Sequence, residues 1–87
     1  MAKKAVSITS KGFSPASVSL ANGDTILFTN NDTVVHSANF KTYTPPGSTG
    51  DISPGASVET NPFTVAGSYD YNCDHHPKMK GSVTVTG

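Results

Sequence analysis

Cys73, His76 and Met79 follow one another at intervals of three residues in Cys73-Asp74-His75-His76-Pro77-Lys78-Met79. The segment holds the chain's only cysteine, two adjacent histidines and a thioether, and Pro77 helps to fix its bend. Each of these residues has an ordinary use taken alone: a cysteine as a small buried hydrophobe, a methionine as a gap-filler. Their conjunction around one turn points to a soft metal site. Thiolate, imidazole and thioether donors suit copper, because sulfur favours Cu(I) while imidazole serves both oxidation states. Structural zinc takes four Cys or His ligands in a closed tetrahedron, and one cysteine does not build such a site. The segment supplies three donors, a fourth would complete the site, and the remaining histidine, His36, is the candidate. The expected ligands are therefore His36, Cys73, His76 and Met79. His75 would crowd the sulfur and reads as a solvent-facing imidazole that could tune local charge.

These side chains must be positioned by strands. Apolar residues recur with a period of two at Val6/Ile8, Val18/Leu20, Ile26/Phe28 and Val83/Val85, with Ser and Thr between them. Turn residues punctuate the chain at Gly12, Pro15, Asn22-Gly23, Asn30-Asn31-Asp32, Pro45-Pro46-Gly47, Pro54-Gly55, Pro62 and Gly67. The pattern predicts strands near residues 3–9, 16–21, 24–30, 34–40, 56–61, 67–73 and 80–86, with no sustained helical period. Such a set argues for an all-β antiparallel sandwich whose two sheets bury their apolar faces together. The irregular stretch from Lys41 to Gly55 is expected to cross between the sheets. Alternation in Gly67-Ser68-Tyr69-Asp70-Tyr71-Asn72-Cys73 puts Tyr69, Tyr71 and Cys73 on one face, so that Cys73 points inward at a strand's end. His36 likewise ends the run Val34-Val35. If the two strands share one half of the sandwich, His36 and Cys73 meet at one pole.

The 87 residues suit a single domain, 1–87, with one core. Six basic and six acidic side chains give a formal net charge of zero, which carries no nucleic-acid or membrane-surface footprint. A lone cysteine cannot form an internal disulfide. No apolar run approaches the roughly 20 residues that span a bilayer, and Met1-Ala2-Lys3-Lys4 leads into strand-like alternation rather than a signal sequence.

At this point the chain resembles the cupredoxins, the small type 1 blue copper proteins. The ligand loop His76-Pro77-x-Met79 with Gly81 is most similar to that of the amicyanins, with plastocyanins and pseudoazurins as near relatives. Phe13-Ser14-Pro15, Gly23-Asp24-Thr25-Ile26 and Phe28-Thr29-Asn30 are similar to the family's amino-terminal half, and His36 falls where its first histidine ligand does. Pro54-Gly55 and Gly67 to Cys73 are similar to its carboxy-terminal half. The resemblance implies a Greek-key β-sandwich of seven to eight strands, one copper ion and single-electron transfer rather than enzymatic turnover. It also implies an extracytoplasmic, for example periplasmic, location. The chain departs from the family in carrying Ser37 where many members have Asn after the first histidine, which bears on the potential rather than on copper binding. It is also shorter, without the extra amino-terminal strand of the amicyanins.

On this resemblance His36, Cys73 and His76 form a trigonal plane with Met79 weakly axial. N–H groups near Cys73, with Ser37 or Asn39, are expected to donate to the thiolate. His76 is the expected electron port, set among Val35, Pro54 and Pro77, with Lys11, Lys78, Lys80 and Asp74 around them. That surface would dock redox partner proteins to a monomer, and His76 would protonate and leave Cu(I) in mild acid. A carrier or storage module that binds copper without redox cycling is the alternative function. An immunoglobulin-like domain would want a second cysteine. Tyr69 is expected to make a tyrosine corner and Tyr71 to pack in the core. Asn31-Asp32-Thr33, a match to a glycosylation sequon, reads as a turn.

Overall fold

The computed structural model describes residues 2–40 and 47–87. Seven strands are present among them: β1 (Lys3–Thr9), β2 (Gly12–Ser14), β3 (Ser17–Ala21), β4 (Thr25–Asn30), β5 (Ser57–Glu59), β6 (Gly67–Asn72) and β7 (Lys80–Thr86). They form two sheets, ordered β2-β1-β4-β5 and β3-β7-β6, and no helix occurs among the described residues. The period-two pattern explains the layering. Val6 and Ile8 of β1, Val18 and Leu20 of β3, Ile26 and Phe28 of β4, and Val83 and Val85 of β7 all face the shared core, while their neighbours face outward.

Three features depart from the sequence expectation. The sandwich is not purely antiparallel, since β1 pairs with β4 and β3 with β7 in parallel. Parallel neighbours need a crossover, and here it runs through the opposite sheet: the chain leaves β1 by the short β2, crosses to β3 and returns as β4. Strand β2, only three residues long, escaped the sequence pattern because it is too short to alternate. The third departure is at residues 34–40, where a strand was expected. Val34 and Val35 are both exposed, whereas His36, Ser37 and Ala38 are buried in succession. A pleated strand alternates its faces and cannot bury three neighbours in a row on one side. This segment instead passes through the end of the sandwich, held by single bridges, His36 to Ile52 and Asn39 to Ser48 and to Asn72. The expected crossing stretch from Lys41 lies outside the described residues as far as Pro46, as does the turn residue pair Pro45-Pro46.

The core centres on Tyr71, whose ring lies 4.7 Å from Phe13, 4.7 Å from Phe40 and 5.4 Å from Phe28, centroid to centroid. Its hydroxyl is buried and has no hydrogen-bond partner among the described residues, and burial pushes the phenol well above its ordinary range. Gly81 stands opposite Tyr71 in the β6–β7 register, and a Cβ at that position would run into the tyrosine ring. Tyr69 donates its hydroxyl to the Val65 carbonyl, the corner expected of it.

Candidate metal centre

The pole of the sandwich that holds Cys73 is built outward from a buried asparagine. Asn30 ends β4 on the same inward face as Ile26 and Phe28 and has no exposed surface. Its Nδ2 donates to the carbonyls of Val34 and Ile52, each at 2.8 Å, and its Oδ1 accepts from the Asp32 N–H at 2.9 Å. One side chain thus ties together the two loops that flank the site. The loop so held brings Asp32 Oδ2 to 2.8 Å from His36 Nε2. The His36 backbone is fixed in turn by exchange with Ile52, N–H to carbonyl at 3.2 Å and the reverse at 2.6 Å.

With Nε2 engaged, the other nitrogen of His36 faces the cysteine. His36 Nδ1 lies 3.5 Å from Cys73 Sγ, and His76 Nδ1 lies 3.7 Å from the same sulfur. One donor atom from each of the three residues falls within 4.8 Å of the others. His36 and Cys73 are buried, whereas His76 is exposed as a residue with its ring partly covered. Met79 is partly buried against the core. Its carbonyl accepts from the Cys73 N–H at 3.1 Å, and its N–H donates to the His76 carbonyl at 2.8 Å, so the turn closes on itself.

Burial alone would push the Cys73 thiol up, but hydrogen bonds from His76, His36 and the N–H groups of Ser37 and His75 outweigh it and bring the group down to about 6. Burial also works against a charged His36, yet its bonds to Asp32 and Cys73 raise it above its ordinary value. The His36 imidazole, followed by the Thr33 N–H, holds Asp32 below the usual carboxylate range. The site therefore offers a thiolate near neutral pH, with two ring nitrogens aimed at it.

The expected outer contacts are met in part. The Ser37 N–H donates to Sγ at 3.4 Å, as anticipated. Asn39 instead donates Nδ2 to Asp74 Oδ1 at 2.8 Å, while the Ser37 hydroxyl donates to Asp74 Oδ2 at 3.1 Å and accepts from the Asp74 N–H at 3.0 Å. His75 faces solvent, as expected, but is anchored, with Nε2 at 2.7 Å from Asp51 Oδ1; that carboxylate raises its pKa. Sequence reasoning read Asn30 and Asp32 only as turn residues, placed Asp74 only on the rim around His76, and gave no role to Asp51. Only Asn30 carried a signal, a polar residue at a core-facing position of a strand.

The cupredoxin-like domain family matches residues 1–85. The chain is a cupredoxin. It is 33% identical over 85 residues to amicyanin-alpha of Methylorubrum extorquens, covering 92% of this chain and 69% of that one. Among solved structures it is similar to a reduced Cu(I) form of an amicyanin variant at pH 4, with TM-score 0.86, 26% identity, and coverage of 95% of this chain and 81% of the other. It is also similar to amicyanin of Paracoccus versutus, with TM-score 0.83, 27% identity, and coverage of 95% and 80%. The cofactor of this cupredoxin is copper, and the donors fit it. First-row metal bonds of about 2.0–2.3 Å to nitrogen and sulfur place the corners of a trigonal set roughly 3.5–4 Å apart, and the two sulfur-to-nitrogen edges here are 3.5 and 3.7 Å.

Proposed function

We propose that this blue copper protein shuttles single electrons between redox partners, as one domain, with His36, Cys73, His76 and Met79 as the residues that would hold the copper. The convergence of one buried thiolate and two Nδ1 atoms within 4.8 Å carries the reading. Copper supplies a one-electron Cu(II)/Cu(I) couple there. The protein's part is to keep the donors in one arrangement through the cycle. Asp32 fixes the tautomer and direction of His36, since a ring whose Nε2–H is donated leaves Nδ1 as the free lone pair. The Ser37 N–H shares the thiolate's charge, and the backbone link between Cys73 and Met79 keeps the loop closed.

His76, exposed at the surface, is the port for the electron. Val34 and Val35 are 46% and 37% exposed, and Pro54 and Pro77 are also exposed. These residues supply an apolar rim suited to a small, quickly released interface. Lys11, Lys78 and Lys80 would favour a partner with acidic groups around its own apolar centre. By family likeness we place this activity outside the cytoplasm, in a monomer without catalytic turnover. A copper carrier would want an exchangeable thiolate, and Cys73 has no exposed surface.

Adding one equivalent of Cu(II) to the apoprotein tests the reading. An intense blue absorption, bleached reversibly by reduction and missing in Cys73→Ala, is expected, together with a reversible voltammetric wave. A blue site that cannot be cycled would favour storage over electron transfer.

A further inference from the structure

Three carboxylates are hydrogen-bonded around this pole, and they differ in what faces them. Asp32 meets the His36 imidazole and Asp51 meets the His75 imidazole, so each stands against a ring that can carry positive charge. Asp74 is different. Its two oxygens accept from the Ser37 hydroxyl and the Asn39 amide, both neutral donors, and no salt bridge to it occurs among the described residues. Its charge is held in place by neutral donors, and acts only through space on the neighbouring His75 imidazole, whose pKa it helps to raise.

The connections around Asp74 are reciprocal. The Ser37 hydroxyl gives a hydrogen bond to the Asp74 carboxylate and takes one from the Asp74 N–H. Ser37 follows His36 in the chain, Asp74 follows Cys73, and the Ser37 N–H donates to the Cys73 sulfur. Ser37 is wholly buried, so neither of its side-chain bonds can be replaced by water without rearrangement. Asn39 adds a third tie from the same segment, and its backbone exchanges two hydrogen bonds with Asn72. The segment carrying His36 has no regular strand ladder to hold it, which leaves these side-chain bonds and a few bridges to set its distance from Cys73.

We propose that Asp74, clamped by Ser37 and Asn39, is a positioning residue with two effects: it locks the His36 segment against the Cys73 thiolate, and its negative charge lowers the reduction potential of the centre. The proposal rests on the copper reading above. A fixed anion beside the ligands favours the more positive Cu(II) state over Cu(I), so that neutralising it raises the potential. Geometry and charge are separable by substitution. Asp74→Asn keeps a side chain of the same shape, and Asn39 can turn its amide over to present its oxygen, so the clamp survives while the charge is lost. Ser37→Ala removes the hydroxyl and leaves the Asp74 N–H and one carboxylate oxygen without their partner, so the clamp opens while the charge remains.

The test is to load wild type, Asp74→Asn and Ser37→Ala with one equivalent of Cu(II), and to record visible and electron paramagnetic spectra and the midpoint potential of each. The thermal unfolding of each apoprotein is followed alongside. For Asp74→Asn the expected result is a retained blue spectrum with a higher potential, the difference shrinking as salt is added because Asp74 is exposed. For Ser37→Ala the expected result is a shifted or broadened charge-transfer band, in a protein whose sheets still unfold cooperatively. An unchanged potential in Asp74→Asn overturns the charge effect, and an unchanged spectrum in Ser37→Ala overturns the clamp. If the wild type itself gives no blue band, it is the copper reading that fails, which keeps the two failures distinct.

Discussion

Cys73 is poised to bind metal before metal arrives. Its folded thiol is lowered from 9.0 to about 6, so the folded protein gives up this proton earlier than the unfolded chain does. Between those two values the unfolded state binds more protons, and the stability of the apoprotein therefore rises with pH; it falls again as pH drops through about 6. Ultraviolet thiolate absorbance of the apoprotein should titrate near 6, and urea midpoints should climb from there toward 9.0, a rise that Cys73→Ala abolishes. Asp32 acts one atom further out. Asp32→Ala leaves the His36 ring without its Nε2 partner, and copper affinity measured by chelator competition should fall about 10–100-fold, as such outer contacts generally contribute.

At the scale of elements, the loops at the pole depend on Asn30 more than on any ladder. Asn30→Ala strands two carbonyls and one N–H, and should cost about 2–4 kcal/mol in urea unfolding, with the copper spectrum of the surviving fold disturbed. Gly81→Ala should cost about 1–3 kcal/mol by forcing Tyr71 aside, two residues from the ligand cysteine. These elements also mark what could be read from the chain. Cys73, His76 and Met79 were legible because their spacing is local, and β1, β4 and β7 because their alternation is regular. The segment at 34–40 was misread because Val34 and Val35 have strand propensity, while their burial is decided by the sandwich end they pass through. The contacts of Asp32, Asp51 and Asp74 gave no sign, since each depends on a partner brought close only by folding, 4 to 37 residues away.

For the molecule as a whole, zero net charge gives little long-range steering, so association with a partner should depend on the apolar pole and the lysines near it. The order of strands adds something else. Strand β1 lies inside its sheet between β2 and β4, and β7, the last of the seven in chain order, lies inside the other between β3 and β6. The four-stranded half has all its strands once β5 is made, but the three-stranded half cannot close before β7, the strand that β3 and β6 both need. Cys73 and its neighbours in the turn just before β7 thus emerge on a chain that is still open, with a bare thiol available to any oxidant. Until β7 is in place the thiol is not yet buried, and its protection from oxidants depends on its surroundings rather than on the fold.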